Sequence, residues 1–134
     1  MDIAGDIIRT HAIVWDYRRR LAERWPTPGR IDSLRFAFTE AGEAMDAHRR
    51  QNPIYARNNS RNMDEADELA DCAMMLCTAM GDVLSQKWLP LPGDLLYMNT
   101  SLSGVCIAVA DTLQEGDVIR PLALIAYRWR MPRT

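Results

Sequence analysis

Phe38-Thr39-Glu40-Ala41-Gly42-Glu43-Ala44 and, further along, Asp67-Glu68-Leu69-Ala70-Asp71-Cys72 are the two stretches from which the rest of this chain is read. Each carries a pair of acids three residues apart, which on an α-helix stack one above the other about 60° apart in azimuth. Take Glu40 as the reference on a helix over about residues 32–51. Phe36, Glu43 and Ala47 then fall on one side of it, Ala37 and Ala44 on the other, and Ala41, Leu34, Met45 and Phe38 continue the apolar arc. Glu40 thus lies inside the apolar sector and Glu43 at its margin. On a second helix, about residues 63–84, Glu68 and Asp71 share their side with Cys72, Met75, Ala79 and Val83. Acids that serve only solubility belong opposite the apolar stripe. Four carboxylates beside an interior are costly unless something positive holds them. A hard divalent cation with oxygen ligands meets that need. The competing reading, surface acids paired with Arg, fits poorly with neighbours such as Phe36, Ala44, Cys72 and Met75.

The remaining segments are also helical in pattern. Ala4, Ile7, Ile8, His11, Val14, Trp15, Arg18, Leu21, Ala22 and Trp25 recur at three- and four-residue spacing, which predicts a first helix over residues 4–25. His11 and Arg18 are the polar interruptions of that stripe. Pro26, Pro28 and Gly29 end it. Asp32 or Ser33 is the expected cap of the second helix, and Asn62 that of the third. Between them, residues 52–62 hold four Asn, Tyr55, Arg57 and Arg61 without apolar period, and read as a loop. Ser101 is the expected cap of a fourth helix stopped by Gly116. A last segment, about residues 117–130, sets Val118, Leu122, Ile125, Ala126 and Trp129 on one side, with Pro121 awkwardly deep in its first turn. No alternating strand pattern or internal repeat interrupts this. The expected fold is all-α, an antiparallel four-helix bundle with an additional C-terminal helix, formed as a single domain over residues 1–134.

Composition bounds the function. A net charge of −2 gives no electrostatic case for nucleic acid as the main partner. Apolar runs such as residues 105–110 are too short to span a bilayer, so no membrane partner is expected. Three cysteines (Cys72, Cys77 and Cys106) in apolar helical settings suit reduced, buried thiols. With no basic-then-apolar leader at the start, the expectation is a cytoplasmic protein. The basic residues are 15 Arg and one Lys, which favours forked contacts to phosphate or carboxylate.

Glu-x-x-Glu, an insert of a couple of dozen residues, then Glu-x-x-Asp resembles the MazG-like, all-α nucleoside triphosphate pyrophosphohydrolases. The match is Thr39-Glu40-Ala41-Gly42-Glu43-Ala44 with Asp67-Glu68-Leu69-Ala70-Asp71-Cys72, and it runs from the first helix to about residue 84. The resemblance implies Mg²⁺-dependent hydrolysis of a (deoxy)nucleoside triphosphate to its monophosphate and pyrophosphate, clearing unwanted nucleotides. Glu40, Glu43, Glu68 and Asp71 would then be the catalytic carboxylates and the ligands of Mg²⁺, with Mn²⁺ as a substitute. Two positions depart from the family pattern. Thr39 stands where members often double the first glutamate to serve the attacking water, which leaves Asp64, Glu65 or a metal-bound water for that role. The family's Lys and Asn near the fourth helix have no match after Ser101, although Lys87 and Asn99 lie nearby in sequence.

For the substrate, Arg57, Arg61 and Lys87 are the candidate phosphate contacts, and Trp15, like Trp25, Trp88 and Tyr55, is a candidate for stacking a base. His11 reads as a satisfied interior histidine and His48 as peripheral. Competing functions are a phosphoribosyl-ATP pyrophosphohydrolase and a non-catalytic helical scaffold or binding module. A di-iron bundle would want Glu-x-x-His pairs, which this chain lacks. Trp15, Trp88, Trp129 and the amphipathic C-terminal segment offer more apolar surface than four helices of this length bury. That surface, like the family resemblance, points to a homodimer or homotetramer.

Overall fold

A computed structural model describes residues 2–50, 65–84 and 101–130, with side chains through 128. The described residues form five helices and no strand: α1 Ile3–Arg20, α2 Arg30–Arg50, α3 Glu65–Met80, α4 Leu102–Glu115 and α5 Ile119–Arg130. The fold is all-α, and no described helix is long and apolar enough to cross a membrane. Arg57, Arg61, Lys87, Tyr55, Asp64 and Trp88 lie outside the described residues, as does the side chain of Trp129.

The helix ends follow local chemistry, with three differences from the sequence reading. Helix α1 starts at Asp2, whose carboxylate accepts from Gly5 N at 2.8 Å, and stops at Arg20 short of residue 25. Pro26 disfavours helical backbone at Trp25 and crowds the preceding turn, and Trp25 is left exposed outside the stripe. Helix α2 begins at Arg30, ahead of the expected caps. Gly29 O accepts from Ser33 N at 2.9 Å, so Ser33 is a buried residue of the first turn and Asp32 pairs with Arg35. Helix α3 ends at Met80 because Gly81 takes φ 88°, a conformation open to glycine. Val83, expected in the stripe, therefore leaves it and is exposed.

The fourth helix matches its expected limits: Ser101 Oγ accepts from Gly104 N at 3.1 Å, and Gly116 closes it at φ 75°. Pro121 costs α5 nothing. The first helical bond runs from Leu122 N to Val118 O, so Pro121 sits in the first turn, where backbone N–H groups have no intrahelical partner.

Helices α2 and α3 form the most extensive pair. Ala37, Ala41, Ala44 and Ala47 are essentially inaccessible to solvent and line the contact face of α2. Small side chains at this spacing let two backbones approach closely. The Cys72 thiol reaches Ala37 O at 3.3 Å and Cys106, from α4, reaches Ala41 O at 3.5 Å. Against the alanines α3 packs Leu69, Cys72, Leu76 and Cys77, all fully buried. A buried leucine of this kind contributes roughly 1.5–3 kcal/mol relative to exposure.

Cross-links fix the directions. Ala79 meets Arg30, Cys72 meets Ala37 and Glu65 meets His48, so α3 runs antiparallel to α2. His11 Nε2 bonds Gly81 O at 2.7 Å and Trp15 Nε1 donates to Cys77 O at 3.0 Å, so α1 also runs antiparallel to α3. Arg30 donates to Ala79 O and Gly116 O at 2.8 and 2.6 Å. One guanidinium thereby satisfies terminal carbonyls of both α3 and α4, at the ends where cations suit the helix dipole.

Candidate metal centre

The alanine face of α2 decides where its acids go. Glu40 falls between Ala37 and Ala44 but turned to one side of them, at the edge of the α3 contact. On the antiparallel α3, Glu68 and Asp71 each lie one turn before a buried residue, Cys72 and Met75. The flanks of two tightly packed helices therefore meet. One carboxylate oxygen each from Glu40, Glu68 and Asp71 lie within 4.8 Å of one another. Oxygens that share a divalent cation at about 2.0–2.6 Å need separations of this order. Glu43 stands beside the group, close enough to Glu40 and Glu68 to share a proton with each.

This gathering is electrostatically unfavourable on its own. Burial, then proton sharing with Glu68 and Glu43, then the charges of Glu43 and Asp71 push the Glu40 pKa up to about 8. Burial and the Glu43 carboxylate raise Glu68. Burial and the charges of Asp67 and Glu43 raise Asp71. Ionised carboxylates only accept hydrogen bonds, so these groups satisfy one another only through a shared proton. Glu40 Oε2 is buried with no hydrogen-bond partner among the described residues. A buried acceptor in that position costs about 1–3 kcal/mol, and a cation at this point would remove both the orphan and the repulsion. The donor set (all carboxylate oxygen, partly open to water) suits Mg²⁺ or Mn²⁺. Cys72 offers no competing sulfur ligand: burial holds its thiol at about 12, and it points to Ala37 O.

The other residues singled out in sequence divide. Thr39 is exposed and turns its hydroxyl to Arg35 O at 3.2 Å, so it supplies no fifth group to the cluster. Glu65 is committed elsewhere. It is buried, and Arg128 grips it with two bonds of 2.9 Å while His48 Nδ1 lies 2.9 Å from Oε1. Burial raises its pKa, but Arg128 and His48 outweigh that and hold it below the ordinary value. Trp15 is tied to Cys77 O, six residues along α3 from Asp71, so its indole N–H is used in joining α1 to α3. Phe36 shares the Glu40 side of α2 but is 52% exposed, and the apolar sector is narrower than the sequence suggests.

Sequence reasoning missed the Glu65–Arg128–His48 cluster, whose members are far apart in the chain. The signals were an acid at an apolar-facing position in the first turn of α3, and Arg128 set among the apolar residues of α5. A cavity of about 350 Å³ between α1 and α5 opens on another side of α3, at Ala73, and takes in none of Glu40, Glu43, Glu68 and Asp71. No family model, curated protein or solved structure matches this chain.

Proposed function

We propose that this protein is a Mg²⁺-dependent nucleoside triphosphate pyrophosphohydrolase of the MazG-like type. The observation that carries the reading is the convergence of Glu40, Glu68 and Asp71 oxygens within 4.8 Å around an orphaned buried Glu40 Oε2. Support also comes from the motif: two acid pairs three residues apart, on two successive helices, in the order and spacing that the MazG-like resemblance rests on. In this reading α1–α4 make the four-helix bundle and α5 is appended to it.

Glu40, Glu68 and Asp71 would hold the ion, and Glu43 would complete the carboxylate shell. When bound, the ion would offset the four negative charges, polarise a phosphoryl oxygen and lower the pKa of a water. Asp71, the exposed member of the group, lies where it could also orient that water. The overall reaction adds water across the α–β anhydride and yields the monophosphate and pyrophosphate. The same reading takes the working form as a cytoplasmic homodimer or homotetramer, which light scattering tests.

A panel of ribo- and deoxyribonucleoside triphosphates with Mg²⁺ tests the reaction, scored for pyrophosphate against orthophosphate. Pyrophosphate release that is lost in Glu43→Gln and Asp71→Asn supports the proposal. Wild-type turnover in both variants, or orthophosphate as the product, ends it.

A further inference from the structure

Arg18 interrupts the apolar stripe of α1, and it turns toward α3 rather than toward water. It is partly buried, with Nε donating to Thr78 Oγ1 at 3.2 Å and Nη2 resting 3.5 Å from Met75 Sδ. The Thr78 hydroxyl donates to Met74 O at 2.8 Å, which leaves its lone pairs facing Arg18 and fixes the guanidinium.

Neither partner carries charge. Arg9, Arg20, Arg35, Arg50 and Arg128 each meet a carboxylate, and Arg30 caps two helix carbonyls. Arg18 has no carboxylate partner among the described residues. A guanidinium has five N–H donors, and the contacts with Thr78 and Met75 engage Nε and Nη2 among the described residues. A half-buried cation held by a hydroxyl and a sulfur has, among the described residues, no counter-charge of the kind that burial calls for.

Its position gives that vacancy a meaning. Asp71, Met75 and Thr78 are spaced i, i+4, i+7 and form one stripe of α3. Arg18 grips the second and third members of a stripe whose first member belongs to the carboxylate group. At 1.5 Å per residue those contacts lie about 6 and 10 Å along the helix from Asp71. The cation and the acids share a face without pairing. An anion that brings its own divalent cation satisfies both ends at once: the cation at the carboxylates, the anion at the guanidinium. A di- or triphosphate chain has the length and the forked oxygens for it.

We propose that Arg18 is the phosphate-binding arm of the site, taking the oxygens of a polyphosphate whose metal ion sits at Glu40, Glu68 and Asp71. The proposal rests on the metal reading above and adds to it an anion subsite on α1. The test titrates the whole protein first with Mg²⁺ alone and then, in Mg²⁺, with inorganic tripolyphosphate. Wild type, Arg18→Gln and Arg18→Lys are compared, and thermal unfolding confirms that each is folded. Loss of charge-assisted bonds predicts about ten- to hundredfold weaker tripolyphosphate binding in Arg18→Gln. Arg18→Lys recovers part of it, because the charge returns without the fork, and Mg²⁺ affinity is the same in all three.

Wild-type tripolyphosphate binding by folded Arg18→Gln overturns the proposal. A wild type that binds Mg²⁺ but no tripolyphosphate also overturns it, and leaves the carboxylate reading standing. If Mg²⁺ does not bind, that reading fails instead. Arg18 then survives as an anion site only if tripolyphosphate still binds and still weakens in Arg18→Gln.

Discussion

Glu40→Gln should change stability in opposite directions with and without metal. In the metal-free protein at pH 7, Glu40 holds a proton, because its pKa is about 8 where the free side chain has 4.5. Each tenfold step in proton affinity is worth about 1.4 kcal/mol, so the gap between 4.5 and pH 7 sets a ceiling of about 3 kcal/mol. Water at the partly open cluster, and the sharing of one proton among three carboxylates, reduce this to about 1–2 kcal/mol. Glutamine carries no charge and supplies a donor to Glu68 or Glu43, so the metal-free variant should melt about 3–8 °C above wild type. The sign of the pH dependence follows. The folded state holds this proton more tightly than the unfolded chain, so the benefit is complete below pH 4.5 and is lost as pH climbs toward 8. Wild type without metal should therefore weaken across that window, and Glu40→Gln should show a shallower slope. Adding Mg²⁺ reverses the order: a ligand at a hundredfold excess over Kd stabilises wild type by about 2.7 kcal/mol, while the variant, short of one charged ligand, gains far less. Thermal unfolding followed by circular dichroism, with EDTA and with Mg²⁺, reads all of this. A Glu40→Gln protein that is less stable than wild type in EDTA, or that gains as much from Mg²⁺, refutes the reasoning.

Three further outcomes are expected. Arg128→Met should cost about 2–4 kcal/mol, because it leaves the buried Glu65 carboxylate with His48 as its one remaining side-chain partner among the described residues. Denaturant unfolding measures that loss, and a change below about 0.5 kcal/mol would contradict the account. Ala44→Leu should destabilise by about 1–3 kcal/mol through overpacking of the α2–α3 contact, and calorimetric titration should show its cation affinity reduced along with it. The apparent affinity for Mg²⁺ should rise with pH up to about 8, since protons on Glu40, Glu68 and Asp71 compete with the ion. A flat profile between about pH 6 and 8 would contradict that competition.

Periodicity made the helical architecture legible because each helix of the described residues buries one stripe and exposes the rest. Caps were readable where a side chain or a glycine acts alone, as Ser101 and Gly116 do. They were not where tertiary partners decide. Arg30 is drawn into α2 by carbonyls from two other helices, and Gly81 O is taken by His11. The carboxylate group was readable because its two acid pairs sit at helical spacing beside alanines that bury. Azimuth alone could not tell which apolar neighbours would be covered, so Phe36 and Phe38 were drawn into a sector that leaves both about half exposed. The Glu65–Arg128–His48 cluster needed three helices at once, and nothing local in the chain joins them.

The central claim is that Glu40, Glu68 and Asp71 together hold one divalent cation. Mn²⁺ binding followed by electron paramagnetic resonance tests it most directly, in wild type and in Glu40→Gln, Glu68→Gln, Asp71→Asn and the control Asp46→Asn, which removes an acid paired with Arg50 on α2. The account predicts saturable binding in wild type and Asp46→Asn, weakened about tenfold or more in each of the other three. Equal affinity in all five proteins, or no saturable binding in any, would contradict it.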